Sequence, residues 1–247
     1  MLSTDTLRAI APRSSRRGSK SGLSFQATLE SLESLKEVVA LREITWTRDV
    51  SDADWLPPCL HPFARDVGSI IPDSYPAYIR IFHEPRSANL RSNWPPGSVP
   101  MAVRRILIEA LRAETSTPAR CCFCVWEGWG DLDDLGVTER LHLPGRAYLM
   151  HEGPIDMALA SPPRRSAAAI SSMGAATVEL PKPGSVEHDN QSASLWWPAD
   201  RAWFVSTEVD DSWTYLAGSQ KVIDSLVNHP SLDVSRTSPS DRLFPVS

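Results

Sequence analysis

Two short segments, Cys121–Trp129 and Leu195–Tyr215, hold six of the nine tryptophans of this 247-residue chain. Each tryptophan needs a large apolar slot and a partner for its indole N–H. Two clusters of them therefore demand either the main core of a sheet or the wall of a pocket. Each cluster also carries acids: Glu127 in the first, and Glu208, Asp210 and Asp211 in the second. Any model of the fold must find places for these rings and carboxylates together.

The segments themselves read as strands. Arg120–Trp126 is rich in adjacent apolar residues, which predicts a core strand buried on both faces. Arg201–Val209 and Ser212–Ala217 predict a hairpin with Asp210-Asp211 as its turn. In that hairpin Trp203, Val205, Thr207 and Val209 share one face, and Ala202, Phe204, Ser206 and Glu208 the other. Tyr78–Phe82 is β-branched and aromatic, another strand. Leu141–Leu143 and Arg146–Met150 flank Pro144-Gly145 as a further pair. Helical spacing predicts helices over 26–42 and from about Val99 to Glu114, the second capped by Ser98 with Pro100 in its first turn. Pro154–Ala160 reads as a short helix. Ser219 caps a last helix with Val222, Ile223, Leu226 and Val227 inward, ending at Asn228-His-Pro230. Leu232–Val234 reads as an edge strand before a fraying tail. From Ile44 to Ser74 the chain reads as irregular, with the turn chemistry of Trp55-Leu-Pro-Pro58 and His61-Pro62. Strands and helices do not alternate strictly, so the expected class is α+β, a mixed or mainly antiparallel sheet with helices on one side.

Residues 1–22 form an expected disordered basic arm, with Arg8, Arg13, Arg16, Arg17 and Lys20 against Asp5, a balance of +4. The chain's net charge of −5 leaves −9 for the rest. An acidic body of this kind argues against a nucleic-acid groove on the folded part, which would need clustered Lys and Arg. No apolar stretch approaches the ~20 residues that span a bilayer, and no secretory h-region is legible near the N-terminus. The expected compartment is the cytoplasm, with no membrane association. Residues 23–247 read as a single domain carrying a mobile insertion at about 161–194, rich in Pro and Ser. The arm and most of the insertion lack the apolar periodicity needed to offset their ordering entropy, so both are expected to be dispensable for folding.

Chemistry is harder to find. Cys121, Cys122 and Cys124 are too close together to bridge one another, and their spacing is not that of a zinc site, so buried core thiols are expected, with no metal. The six histidines form no H-E-x-x-H motif, and the chain lacks G-x-S-x-G, a Walker loop and G-x-G-x-x-G. No cofactor is implied. The carboxylates Glu127, Asp131, Asp133, Asp134, Glu208, Asp210 and Asp211 are the remaining acid–base collection. A glycosidase pairs two carboxyls with aromatic platforms for sugar rings; acidic loops and β-turns use the same residues for backbone reasons.

The segments Phe123–Gly130, Leu143–Tyr148, Leu195–Trp203, Thr207–Asp210 and Trp213–Ser219 resemble an uncharacterised actinobacterial protein family. That family carries F-x-V-W-E-G-W-G and L-W-W-P-x-D-R-A-W segments. The resemblance spans roughly residues 55–235 and implies no activity. A looser likeness, in element order, is to immunity proteins of the SUKH type, which neutralise toxins by binding them. The first expectation is thus a binding protein whose acidic, tryptophan-rich surface captures a protein partner, with the oligomeric state left open. Its expected contact residues are Trp126, Glu127, Trp129, Trp196, Trp197, Arg201, Glu208 and Asp210. The alternative is a small-molecule or glycan hydrolase using Glu127 and Glu208 in a tryptophan-lined cleft.

Overall fold

The computed structural model describes residues 44–84, 96–130, 132–134, 136–162 and 191–243. The basic arm, the helix expected over 26–42 and most of the 161–194 insertion lie outside them. Eight strands form one antiparallel sheet among the described residues. They are β1 (Ala77–Phe82), β2 (Cys121–Trp126), β3 (Leu141–Leu143), β4 (Arg146–Gly153), β5 (Leu195–Pro198), β6 (Phe204–Ser206), β7 (Trp213–Gly218) and β8 (Asp233–Thr237). Their order across the sheet is β3-β4-β2-β5-β6-β7-β1-β8. The fold is α+β, as the strand and helix patterns predict.

Period-two alternation sends each strand's side chains to two differently covered faces. One face is covered by α1 (Met101–Arg112), α2 (Gln220–Val227) and a 3-10 segment, Ile155–Leu159. On α1 the buried residues Val103, Leu107, Ile108 and Leu111 fall three and four apart, as a single apolar stripe requires. Ser219 does cap α2, accepting from the Val222 N–H at 3.2 Å. Ser98 does not cap α1: the helix starts after Pro100, without a side-chain cap. A directly opposed row of rings crosses this face. His151 stacks on Phe123 at 5.0 Å, Phe123 on Trp196 at 6.2 Å, and Trp196 meets Trp203 edge-to-face at 5.3 Å. The register that pairs Phe123 with both His151 and Trp196 creates the row. The Trp203 indole N–H donates to the Leu111 carbonyl at 3.0 Å, adding to the bonds this carbonyl accepts from the Ala113 and Glu114 N–H groups and tying the strand to the end of α1.

The other face carries Cys122, Cys124, Tyr148, Met150, Leu195, Trp197, Phe204, Tyr215 and Ala217 in one cluster with Ala53, Leu56, Val67, Ile70, Ile71 and Leu243. Its cover is irregular chain: the 3-10 turns Ser51–Ala53, Pro57–Cys59 and Val67–Ser69, and the stretch after β8. That last stretch is no fraying tail as far as Leu243. Val67 and Gly68 donate to the carbonyls of Asp241 and Pro239, and Leu243 is buried. The end of the expected insertion is also integral to the sheet. Ser194 N–H donates to Cys124 and its carbonyl accepts from Thr207, each at 2.7 Å.

Candidate functional site

One corner of the loop-covered face gathers the charged and aromatic groups that the core excludes. Arg146 opens β4 immediately after the Pro144-Gly145 turn. Gly145 adopts φ +81°, and a Cβ there would sit 2.6 Å from the Phe63 ring. The turn thus needs glycine both for its backbone and for the packing of Phe63. Arg146 presents the Nε–Nη2 edge of its guanidinium to Glu208 Oε1, with Nε at 3.1 Å, and Nη2 also donates to Asp210 at 3.2 Å. The same guanidinium lies 5.4 Å from the Trp126 ring and 5.9 Å from the Phe63 ring. A cation between two ring faces and two carboxylates is held by both electrostatics and packing. Glu208 Oε1 accepts in addition from the Val209 N–H at 3.1 Å. Glu208, Tyr148, Ser206 and Phe63 line a cavity of about 10 Å³, room for one water. The Ser206 hydroxyl is buried there without a partner.

Trp126 also meets Trp129 edge-to-face at 5.5 Å. A Cβ on Gly128 would lie 2.1 Å from the Trp126 ring, which gives Gly128 in Trp126-Glu-Gly-Trp129 its physical reason. Glu127 points elsewhere. Its N–H extends the ladder to the Ala147 carbonyl, and its carboxylate accepts from Arg140 Nε at 2.9 Å. Arg140 bonds Asp134 as well, at 3.2 Å. Glu127, Trp129, Asp134 and Arg140 line a separate, polar groove of about 300 Å³. The two glutamates thus face different cavities, each tied to its own guanidinium.

The structure therefore brings together Trp126, Glu208 and Asp210 around Arg146, with Trp129 against the Trp126 ring and lining, with Glu127, the neighbouring groove. It disperses the others. Trp196 and Trp197, adjacent in β5, go to opposite faces and both are buried, so neither ring meets solvent. Arg201, at φ +56°, stacks 4.9 Å over Trp55. Sequence reasoning missed Arg146, Phe63 and Arg140. Arg146 stands beside a predicted turn in an acidic body, a signal that charge patterning could have raised. Phe63 carried no signal, since only the turn at residues 62–65 aims it at the corner.

Asp211 closes the β6–β7 hairpin, and its carbonyl accepts from the Gly97 N–H at 2.9 Å. Its side chain is buried with Oδ2 unpartnered. Burial first, and then the nearby Glu208, push this carboxyl up to about 7, against the pull of Arg80. One set of ligand-type atoms lies close together elsewhere: Asp52, Cys122 and Glu152, all within 4.8 Å. Arg120 already donates to both carboxylates, at 2.5 and 3.4 Å. Burial pushes the Cys122 thiol up to about 12, so the cluster as it stands holds a guanidinium and a neutral thiol. Among the described residues no helix is long and apolar enough to cross a membrane. No family model matches the chain, and neither the curated proteins nor the solved structures contain a match to it.

Proposed function

We propose that this chain is a non-enzymatic, cytoplasmic binding protein that captures a basic protein partner at the Arg146 corner, in the manner of immunity proteins. One observation carries the reading. Phe63, 43 % exposed, is the only exposed large apolar side chain among the described residues, and it sits where Trp126, Arg146, Glu208 and Asp210 converge. Interfaces concentrate their energy in such aromatic anchors ringed by polar groups. The buried Arg146–Glu208 pair holds the rings in place beforehand, which lowers the entropy lost on binding. Asp210 stands exposed at the rim, and the acidic body beyond the basic arm steers a cationic partner toward it. The hydrolase alternative draws no support from the geometry, because Glu127 and Glu208 line separate cavities.

The test is fluorescence-anisotropy titration with a labelled oligo-arginine peptide, on the wild type and on Phe63→Ala and Asp210→Lys. Both variants should stay folded by circular dichroism and weaken binding about tenfold or more. Equal affinity in all three proteins would remove the corner from consideration.

A further inference from the structure

A second guanidinium has no carboxylate to hold. Arg104, in the first turns of α1, is 1 % exposed. Its Nη1 donates to the Ala158 carbonyl at 3.0 Å, while Nε and Nη2 are sealed from solvent with no hydrogen-bond partner. No acid pairs with it among the described residues. Its charged neighbour is Arg105, another cation, whose Nε is also buried without a partner. Burial, and then Arg105, push the Arg104 guanidinium down to about 10, which still leaves it charged at neutral pH. A buried charge without a counter-ion is among the costliest arrangements a fold can keep.

The free atoms form the edge that matters. Nε and Nη2 present two parallel N–H groups, the fork that receives both oxygens of a carboxylate or phosphate. The same edge of Arg146 receives Glu208 in this molecule. On Arg104 it receives nothing. The start of α1 adds to the field: Pro100 precedes the helix, no side chain caps it, and no acid lies in its first turn. The N–H groups of a helix start contribute partial positive charge. Arg105, the next residue of the helix, is partly exposed.

We infer that Arg104 and Arg105, at the start of α1, form a binding site for an oxyanion, a phosphate or carboxylate group that completes the empty guanidinium edge. The site is separate from the Arg146 corner and of the opposite polarity, so either can fail without the other. The test is thermal unfolding of the full chain in increasing sodium phosphate, with sodium acetate as a second arm and sodium chloride at matched ionic strength as the control. The wild type should gain stability saturably, as a ligand that binds only the native state requires. Arg104→Met should lose that response. Arg105→Gln, at a half-exposed position that leaves the core intact, should raise the midpoint about tenfold. A response to phosphate alone assigns a phosphorylated ligand, and an equal response to acetate assigns a carboxylate. A shift matched by chloride, or one that survives Arg105→Gln unchanged, overturns the site.

Discussion

The two faces of the sheet are covered in different ways, and their chemistry differs accordingly. Helices close their own backbone hydrogen bonds, so the face beneath α1 and α2 can be built from the row His151–Phe123–Trp196–Trp203. Irregular chain leaves carbonyls unpaired, and the sheet beneath it has to supply donors. Arg80 and Tyr215 do so. Arg80 donates from Nε and Nη2 to the Tyr215 hydroxyl at 3.0 and 2.8 Å, and Nη2 reaches the carbonyls of Arg242 and Leu243 at 3.3 and 3.4 Å. The Tyr215 hydroxyl donates in turn to Leu243 at 2.8 Å. Tyr78 does the same for Pro72 at 3.2 Å. The buried Arg80 and the hydroxyls of Tyr215 and Tyr78 thus serve the carbonyls of the coil cover. The same face can then hold the Arg146–Glu208 pair near the surface, where the proposed contact lies.

The contrast can be broken most severely from the helix side. Trp196→Ala removes a ring stacked on one side and met edge-on at the other, and should cost about 3–5 kcal/mol in urea unfolding. A loss below ~1 kcal/mol would mean that the face can collapse around the gap, and that the row is not rigid packing.

The loop side should yield less, and by another route. Arg80→Met keeps the apolar volume but strips donors from two buried carbonyls and the Tyr215 hydroxyl. Its cost should be about 1–3 kcal/mol, accompanied by faster proteolytic cutting in residues 238–243. Lost stability without new cutting would place the effect in the sheet alone.

The most specific effect, spread over several pH units, is in the pH dependence. His151 and His83 on the helix face are depressed from 6.5 to about 3 by burial. They resist protonation in the native state, so the stability they contribute is present above pH 6.5 and is lost as pH falls toward 3. Asp211 is raised from 3.8 to about 7. Its contribution is complete below pH 3.8 and is lost as pH rises through 7. The two faces therefore titrate in opposite directions between pH 4 and 7, each group contributing at most about 1.4 kcal/mol per pH unit. Asp211→Asn should raise stability at pH 8 and leave the histidine slope unopposed, giving a steeper loss on acidification. An unchanged profile would show that Asp211 already ionises freely.

Much of this architecture is legible in local pattern. β1, β2, the β3–β4 pair, the β6–β7 hairpin and α1 all stand where alternation or 3.6-residue spacing predicts them. Cys122 and Cys124 share a face opposite Cys121, and all three are buried. Short-range order of this kind follows from the geometry of strand and helix. β5 was not legible: it is four residues long, ends in Pro198, and shows Trp196-Trp197 with no alternation of polarity, because both of its faces are buried. The site was legible by halves. Glu208 and Asp210 were visible as acids in a turn and Trp126 as a ring near a strand end, but their common partner, Arg146, is 62 residues from Glu208.

The sequence by itself determined most of the strands and both described α-helices, which side chains share a face, and that the chain beyond the basic arm is acidic. Only the tertiary structure decided that Trp196 and Trp197 belong to the core, that Glu127 and Glu208 face different cavities, and that residues 238–243 close the loop-covered face. Only it left Arg104 without a counter-ion. The physical reason is range. Propensity and periodicity act over a few residues, whereas burial and ion pairing depend on which strand lies beside which, a choice set by the whole chain's contacts at once.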